Sequence, residues 1–579
     1  MVSSRLHFAT IDETGHIPAG LHHWTHGTFE LYRVNPPLPR MLATLPLLFT
    51  GANSDLGELR DAPGRRLEWT ANWEFAENNQ ARYVELVRLA RLAGIAWSLL
   101  GAWVVIRWSK DLFGPNAALL ALVLWCFGPN ILAHAQLVTP DIPCTVSGLA
   151  ACYIFRAYLR RPAWSTAWFA GLLLGVALLT KITWLLLFGL WPVLCVLYLG
   201  PKLVTLGRLA KRFGQGSMIA GLSLLILNLG YGFQGACRPL GEYAFVSRAF
   251  AGEKVTGHNT GNRFHGTVLA GMPIPLPADY VLGMDLQRVD FEAGWPFYLD
   301  GEWSNGGVWY FYLCALWWKL PLGCLGLFLV SLGCVFLRRS SIGWREEMLI
   351  WLPPLAILAL VSSQTGLNYF RYVLPMLPFL LIGISRCATL VASASKKRGA
   401  LVVALMIAVS LSSLRVYPHS LSYFNEAAGG PEKAHRRLVD SNLDWGQDLL
   451  YLKKWLDENP GHGKLGFAYF NFVDPRIIGI DYELPAFGQS REPTADSRPP
   501  DLIGPRPGLY AISVHFVQGG TFQSPDGKGN RRTIPLHCYE YFQHFRPLAK
   551  AGYTIWIYKL TLAEANKARA RLSLPLIEN

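Results

Sequence analysis

Between residues 87 and 415 the chain alternates long apolar runs with short polar loops. A helix that crosses a hydrocarbon core needs roughly 20 apolar residues. By that rule about ten stretches qualify: 87–107, 117–135, 142–159, 164–180, 182–200, 215–233, 309–336, 347–362, 370–386 and 399–415. Helices apolar on every side are buried in protein or in lipid, and this many in succession point to lipid. The expected fold class is therefore a mostly α-helical polytopic membrane protein. Composition agrees: charged residues make up 16% of the chain, against about a quarter in soluble domains. The 21 Trp, 23 Tyr and 30 Phe suit the aromatic belts at membrane interfaces.

The basic residues fall on alternate sides. One set of loops holds Arg107 and Lys110; Arg156, Arg160 and Arg161; Lys202, Arg208, Lys211 and Arg212; Arg338, Arg339 and Arg345; Arg386, Lys396, Lys397 and Arg398. The loops 136–141 and 363–369 hold no Lys or Arg, so the first set is expected in the cytoplasm. The net charge of +14 is thus an orientation signal and excludes nucleic acid as the partner. Five segments then share the outer face: the tail to about residue 86, the 136–141 loop, the 234–306 loop, the 363–371 loop and the chain after about residue 416. Arg88, Arg91, Lys181 and Arg371 break the rule, and charge at such depths is costly and commonly functional. An even number of spans places both ends outside, yet no apolar segment precedes Asp12. A transmembrane helix upstream of residue 1 is the expectation.

Three regions follow. Residues 1–86 form a first outer loop, with an interfacial helix at 36–50 (PPLPRMLATLPLLFT) and a polar, irregular stretch at 51–80. Residues 87–415 are the membrane domain, whose Gly-, Pro- and aromatic-rich 234–306 loop reads as an ordered cover. Residues 416–579 read as a small extracytoplasmic α/β domain: a helix in DWGQDLLYLKKWLDENPGHG, strands in KLGFAYF, GLYAISVHFV and YTIWIYKL, and a terminal helix in LAEANKARARL. Most of the ten cysteines lie in apolar runs as small hydrophobes. Cys237 and Cys538 lie in polar segments and leave a bridge open. No zinc-type cysteine spacing occurs.

The candidate chemistry lies in the outer segments. ATIDETGHIPAG carries the adjacent acids Asp12 and Glu13, with His16 behind them, and LYRVNPPLPR carries Arg33, Asn35 and Arg40. Asp141, in HAQLVTPDIP, reads either as a helix cap or as a second acid of the same pocket. Lys181 reads as a snorkelling lysine or a phosphate ligand. Arg371, between Tyr369 and Tyr372, needs a partner or water, and a lipid phosphate would pair it bidentately. Asp300 and Glu302 are further polar groups for which solvation suffices. Asp440, Asp444 and Asp448, at four-residue spacing, read as helix-capping acids or as metal or sugar contacts.

These motifs together resemble family 39 glycosyltransferases, which include protein O-mannosyltransferases and the aminoarabinose transferases of lipid A. The stretches that carry the resemblance are IDETGHIPAG, NPPLPRMLATLPLL, GPNILAHAQLVTPDIP, LLTK, GGVWYFY with KLPL, NYFRYVLPMLPFLL and YPHSLSYFNEAAGGPEKAHRRLVDSNLDWGQD. The resemblance implies the C-type membrane glycosyltransferase fold and a mannosyltransferase-like enzyme. It also implies a polyprenyl-phosphate sugar donor, a protein, lipid or glycan acceptor, and a bacterial inner membrane with the active site outside. Asp12 matches the catalytic base, Glu13 its common neighbour and Asp141 the acid of the second outer loop. Lys181 and Arg371 match the donor-phosphate cations. His16, Asn35 and Tyr369 fall in the donor and acceptor pocket. The family has a helix before the acid motif, which this chain lacks. It also carries His or Lys where this chain has Asn35, so Arg33 or Arg40 is the expected substitute.

The physical expectation is a single displacement with inversion. Asp12 takes the acceptor proton, worth roughly 10²–10⁴-fold, and fixed cations stabilise the leaving phosphate where water is sparse. Glu13 or Asp141 would orient the acceptor or a divalent cation; no metal ligand set and no firm cofactor is assigned. The rival reading is a lipid-linked sugar transporter or flippase, which predicts midplane charge, interrupted helices and internal repeats. A scaffold whose outer domain binds partners is the third.

Overall fold

The structure is a computed structural model that describes residues 2–200, 206–252, 260–337, 342–364, 366–391, 396–461, 463–488 and 503–578. Seven helices among the described residues are long and apolar enough to cross a membrane: Gln80–Phe113, Asp141–Arg160, Ile182–Leu199, Gly207–Gly230, Trp344–Ser363, Phe370–Val391 and Lys396–Val416. The chain is an integral multi-pass membrane protein. Trp164–Leu178 is a shorter apolar helix at another expected span.

Two expected spans, 117–135 and 309–336, are corrected from straight helices to broken ones. Pro115–Cys126 meets Pro129–Ala135 at 60°, and Phe311–Lys319 meets Leu322–Phe336 at 111°. Pro129 and Pro321 stand at the breaks, where a proline lacks the N–H that would continue the helix and restricts the residue before it. The second break carries buried Lys319. Its Nζ donates to the carbonyls of Leu421 (3.0 Å) and Asn442 (2.7 Å), which ties the broken helix to the segment after the last span. At the opposite end, Glu346 accepts from Arg156 (2.6 Å) and Glu347 from Arg386 (2.7 Å), so part of the basic excess there is paired. Lys202, Arg338 and Arg339 of the expected cytoplasmic loops lie outside the described residues.

The N-terminal region is more helical than its sequence suggested. It contains α1 (Val2–Leu6), α2 (Ile11–His26), α3 (Leu38–Thr44) and α4 (Glu68–Asn78). The stretch 51–80, expected to be irregular, is corrected by α4, which buries Ala71, Asn72, Phe75 and Ala76 on one face. Helix α2 ends where Gly27 takes φ of 69° and its N–H returns to the His23 carbonyl, a conformation that costs glycine little. Gly20 lets α3 approach, since a Cβ there would lie 2.5 Å from the Arg40 carbonyl oxygen. Helix α3 and the 3-10 turn Leu45–Phe49 expose Leu42, Leu45, Leu48 and Phe49, the apolar face of an interfacial helix.

The long loop is an ordered cover over its described residues. It includes the helix Ala278–Glu292 and a hairpin of β1 (Phe297–Leu299) and β2 (Glu302–Ser304). The C-terminal region contains β3 (Leu465–Ala468), β4 (Tyr482–Glu483), β5 (Gly508–Ser513), β6 (Phe522–Pro525), β7 (Arg531–Ile534), β8 (Ala549–Ala551) and β9 (Ile555–Leu560). Its main sheet has the order β4-β3-β5-β9-β8, parallel across β4, β3 and β5 and antiparallel across β5, β9 and β8. The helix Leu449–Glu458 buries Leu449, Leu452 and Leu456 against it. Those residues share one apolar core with Phe8, Leu31, Phe75 and Leu86 of the N-terminal region. The two regions are also joined through the backbone: Phe8 N–H donates to Gln447 (2.9 Å) and Ile11 N–H to Trp445 (3.1 Å). Cys237 is exposed and Cys538 buried, and no bridge joins them.

Candidate active site

The acid pair begins α2. Consecutive helical side chains diverge by about 100°, so Asp12 and Glu13 face different surroundings. Glu13 points inward and is saturated. It accepts from the Arg91 guanidinium (2.6 and 2.8 Å), the Val138 N–H (2.9 Å) and the N–H and hydroxyl of Thr10 (2.8 and 3.0 Å). Arg91 uses its remaining N–H groups on the carbonyls of Ser4, His7 and Phe8. The pair is sealed from solvent. Glu13 is thus corrected from a candidate catalytic acid to a brace that fixes the start of α2, and Arg91 explains its own violation of the charge rule.

Asp12 faces a cavity of about 590 Å³. Its Oδ2 lies 3.4 Å from Arg371 Nη2. The Arg371 guanidinium is sandwiched between the Tyr369 and Trp445 rings, 4.3 and 4.4 Å from their centroids. Its buried Nη1 has no partner among the described residues, so one N–H edge is available to an anion. Burial raises the Asp12 pKa above the ordinary carboxylate value, although Arg371 pulls it down. Asn35, Tyr369 and Asp440 also line the cavity. Asp440 sits in a turn with φ of 59°, and burial raises its pKa as well.

Beside this cavity runs an apolar groove of about 340 Å³, and the two share Val34, Gln287 and Tyr372. Lys181 stands in the groove wall. Its Nζ donates to Asp141 Oδ1 (2.8 Å) and lies 5.0 Å from the Tyr372 ring centroid. Asp141 is buried behind the lysine, with His134 Nδ1 3.8 Å from its Oδ2. It does not line the cavity. Its carboxylate holds Lys181 toward the groove, a positioning role rather than a helix cap.

Three other expected site residues are otherwise engaged. Arg33 donates to both oxygens of Asp61 (2.7 and 2.8 Å) and to Asp279 (2.5 Å). Arg40 is buried and donates to the backbone carbonyls of Leu31, Tyr32, Asn35 and Pro36. Both are corrected from phosphate ligands to clasps that shape the α2–α3 connection. His16 is buried and stacked on Tyr32, with ring centroids 4.2 Å apart. It backs the cavity wall without reaching the space, and burial lowers its pKa well below the ordinary value.

Sequence reasoning missed Arg66 and Asp290. Arg66 Nη1 bridges both Asp290 oxygens (2.8 and 2.9 Å) at the cavity edge. Arg66 lies in the stretch taken as irregular, and nothing local marked it. Trp69, Trp295, Trp303 and Trp445 line the same space. Their signal was the density of Trp in polar segments. Asp300, by contrast, pairs at the surface with Arg437, and Glu302 is exposed.

Residues 87–229 match the family described as dolichyl-phosphate-mannose-protein mannosyltransferase. The chain resembles a family 39 glycosyltransferase. The match spans about a quarter of the sequence and includes Arg91, Asp141 and Lys181, while Asp12 and Arg371 flank it. Among solved structures it is similar to ArnT from Cupriavidus metallidurans bound to undecaprenyl phosphate, at 11% identity and a TM-score of 0.45, over 92% of this chain and 95% of that one. The apo form of the same protein matches at 12% identity and a TM-score of 0.44, over 93% of this chain and 96% of that one. No curated protein matches the sequence.

Proposed function

We propose that this family 39 relative transfers a sugar from a polyprenyl-phosphate donor to an acceptor hydroxyl, on the membrane face that carries the C-terminal domain. One observation carries the reading: a polar, tryptophan-lined cavity holding Asp12 and Arg371 opens beside an apolar groove headed by Lys181, with Tyr372 in the shared wall. A polyprenyl chain fits the groove by its apolarity, and a sugar fits the cavity by its aromatic faces and acids. The phosphate between them falls near the open N–H edge of Arg371 and near Lys181. The family's description names a dolichyl-phosphate-linked mannose, a donor of this chemical class.

The acceptor oxygen attacks the anomeric carbon while Asp12 takes its proton. The bond from that carbon to the phosphate oxygen breaks, and the lipid phosphate leaves with the electron pair. Arg371 and Lys181 meet the charge that gathers on it. A base on the face opposite the leaving group gives inversion. The loops rich in Lys and Arg lie at the other end of the spans, so this face is extracytoplasmic, on the outer side of a bacterial inner membrane. Both oxygens of Glu13 and one oxygen of Asp141 already meet cationic side chains.

Purified protein in lipid nanodiscs, given radiolabelled polyprenyl-phosphate sugar and candidate acceptors, tests the proposal. Label on an acceptor, with the opposite anomeric configuration, supports it. Reconstituted in vesicles, movement of the donor across the bilayer without transfer would support the flippase reading instead, and neither outcome the scaffold.

A further inference from the structure

Away from the cavity, three side chains from three distant parts of the chain converge: His7, His419 and Asp448. His7 follows α1, His419 lies just after the last span, and Asp448 opens the helix Leu449–Glu458. His7 Nε2 is 3.4 Å from His419 Nδ1 and 3.8 Å from Asp448 Oδ1, and His419 Nδ1 is 3.5 Å from that same oxygen. We propose that these three groups form a structural zinc site that pins the N-terminal segment to the start of the C-terminal domain.

The spacing is the first argument. A hydrogen-bonded histidine–carboxylate pair closes to about 2.7–2.9 Å, and neither histidine comes that close to Asp448. Ligands about 2.0–2.1 Å from a tetrahedral zinc stand roughly 3.3 Å from one another, near the shorter two of the observed separations. Neighbouring ligands of an octahedral ion at the same bond length would stand about 2.9 Å apart, further from what is seen.

The supporting contacts are the second. His7 Nδ1 lies 3.0 Å from the Ser3 carbonyl. A carbonyl only accepts, so Nδ1 carries the proton and Nε2 presents its lone pair to the other two groups. Asp448 is fully buried. Its Oδ2 accepts from the N–H groups of Tyr553 (2.9 Å) and Thr554 (3.2 Å) and from the Thr554 hydroxyl (3.0 Å). Gly552 makes room for this carboxylate, since a Cβ there would stand 2.1 Å from Oδ2. The other oxygen, Oδ1, is buried with no hydrogen-bond partner and faces the two imidazoles. One oxygen locked and one bare is the state of a carboxylate prepared for a cation. The His419 side chain is 15% exposed, which leaves a side for water as fourth ligand.

The consequence is mechanical. Residues 8–11 pair with 445–447 through the backbone, Trp445 stacks on Arg371, and Arg371 meets Asp12. A cation joining residues 7, 419 and 448 would clamp both strands of that contact.

Full-length protein purified through a non-histidine tag, equilibrated with zinc and desalted, tests this by elemental analysis and thermal melting in detergent. The expected result is one zinc per chain and a melting temperature that falls with EDTA and recovers with zinc. H7Q, H419Q and D448N each lose the zinc, while H435Q in the C-terminal domain keeps it. Cobalt loaded into the unaltered protein serves if the variants fold poorly: intense tetrahedral d–d bands are expected. Protein that retains no zinc and melts identically with EDTA and with zinc would overturn the proposal. So would retention of zinc by all three variants, or a cobalt spectrum without tetrahedral bands.

Discussion

Asp12 Oδ2 and Arg371 Nη2 stand 3.4 Å apart across the cavity, close enough to couple electrostatically and too far for a tight bidentate pair. The looseness matters for chemistry. A carboxylate locked in a strong ion pair is a weak base, whereas Asp12 is desolvated and its pKa is raised.

The first prediction is a pH profile. Asp12 accepts a proton only when ionised, so transfer at limiting donor falls as the pH drops through its raised pKa. Arg371 lowers that pKa; R371Q removes the favourable charge and moves the acid limb to higher pH. Single-turnover rates across the acidic range for both proteins check the direction. A limb that stays in place or moves to lower pH contradicts the coupling.

The buried Glu13–Arg91 pair predicts non-additive stability. E13A leaves Arg91 charged and unpaired in the interior, at a cost of about 3–5 kcal/mol. E13A combined with R91M removes both charges, so the double variant loses less than the sum of the two single losses. Melting temperatures in detergent for the two singles and the double measure the coupling. Strictly additive losses would contradict the bracing role.

On the proposed reading, Lys181 and Asp141 serve the donor rather than the acceptor. K181M should raise the KM for polyprenyl-phosphate sugar and lower kcat, because the phosphate is met in the ground state and more strongly as it leaves. D141N, which frees Lys181 to swing, should produce a smaller change of the same kind. The two parameters measured separately against donor and acceptor distinguish this from general unfolding, which would leave both KM values unchanged.

Lys319 predicts a structural effect at the second helix break. Its ammonium satisfies the carbonyls of Leu421 and Asn442 at the helix break. K319M removes both bonds and leaves two buried acceptors bare, at about 1–3 kcal/mol each. A melting temperature equal to that of the unaltered protein would refute this.

Much of the membrane domain was legible because hydrophobic runs report burial in lipid directly: each of the ten expected stretches has a helical counterpart. The breaks at Pro129 and Pro321 were not read, although proline is a local signal, because the apolar run continues through it. In the site, Asp12, Tyr369, Asn35 and Arg371 were brought together as expected from their motifs. Glu13, Arg33 and Arg40 were not. Their partners Arg91, Asp61 and the 31–36 backbone carbonyls are set by helix rotation and chain return, which local sequence does not encode. Arg66 stayed hidden for the same reason. Asp440, Asp444 and Asp448 look like one face of a helix by spacing, yet only a short turn at Asp440–Asn442 precedes the helix Leu449–Glu458. The three acids diverge: Asp440 goes to the cavity, Asp444 holds the Gly446 N–H, and Asp448 meets the two histidines.

The most direct test of the account is D12N in nanodiscs with radiolabelled polyprenyl-phosphate sugar, under single-turnover conditions with donor binding measured in parallel. The account predicts unaltered folding, donor affinity within a few-fold of the parent, and transfer slowed by roughly 10²–10⁴-fold. A folded D12N protein that transfers sugar at the parent rate would contradict it.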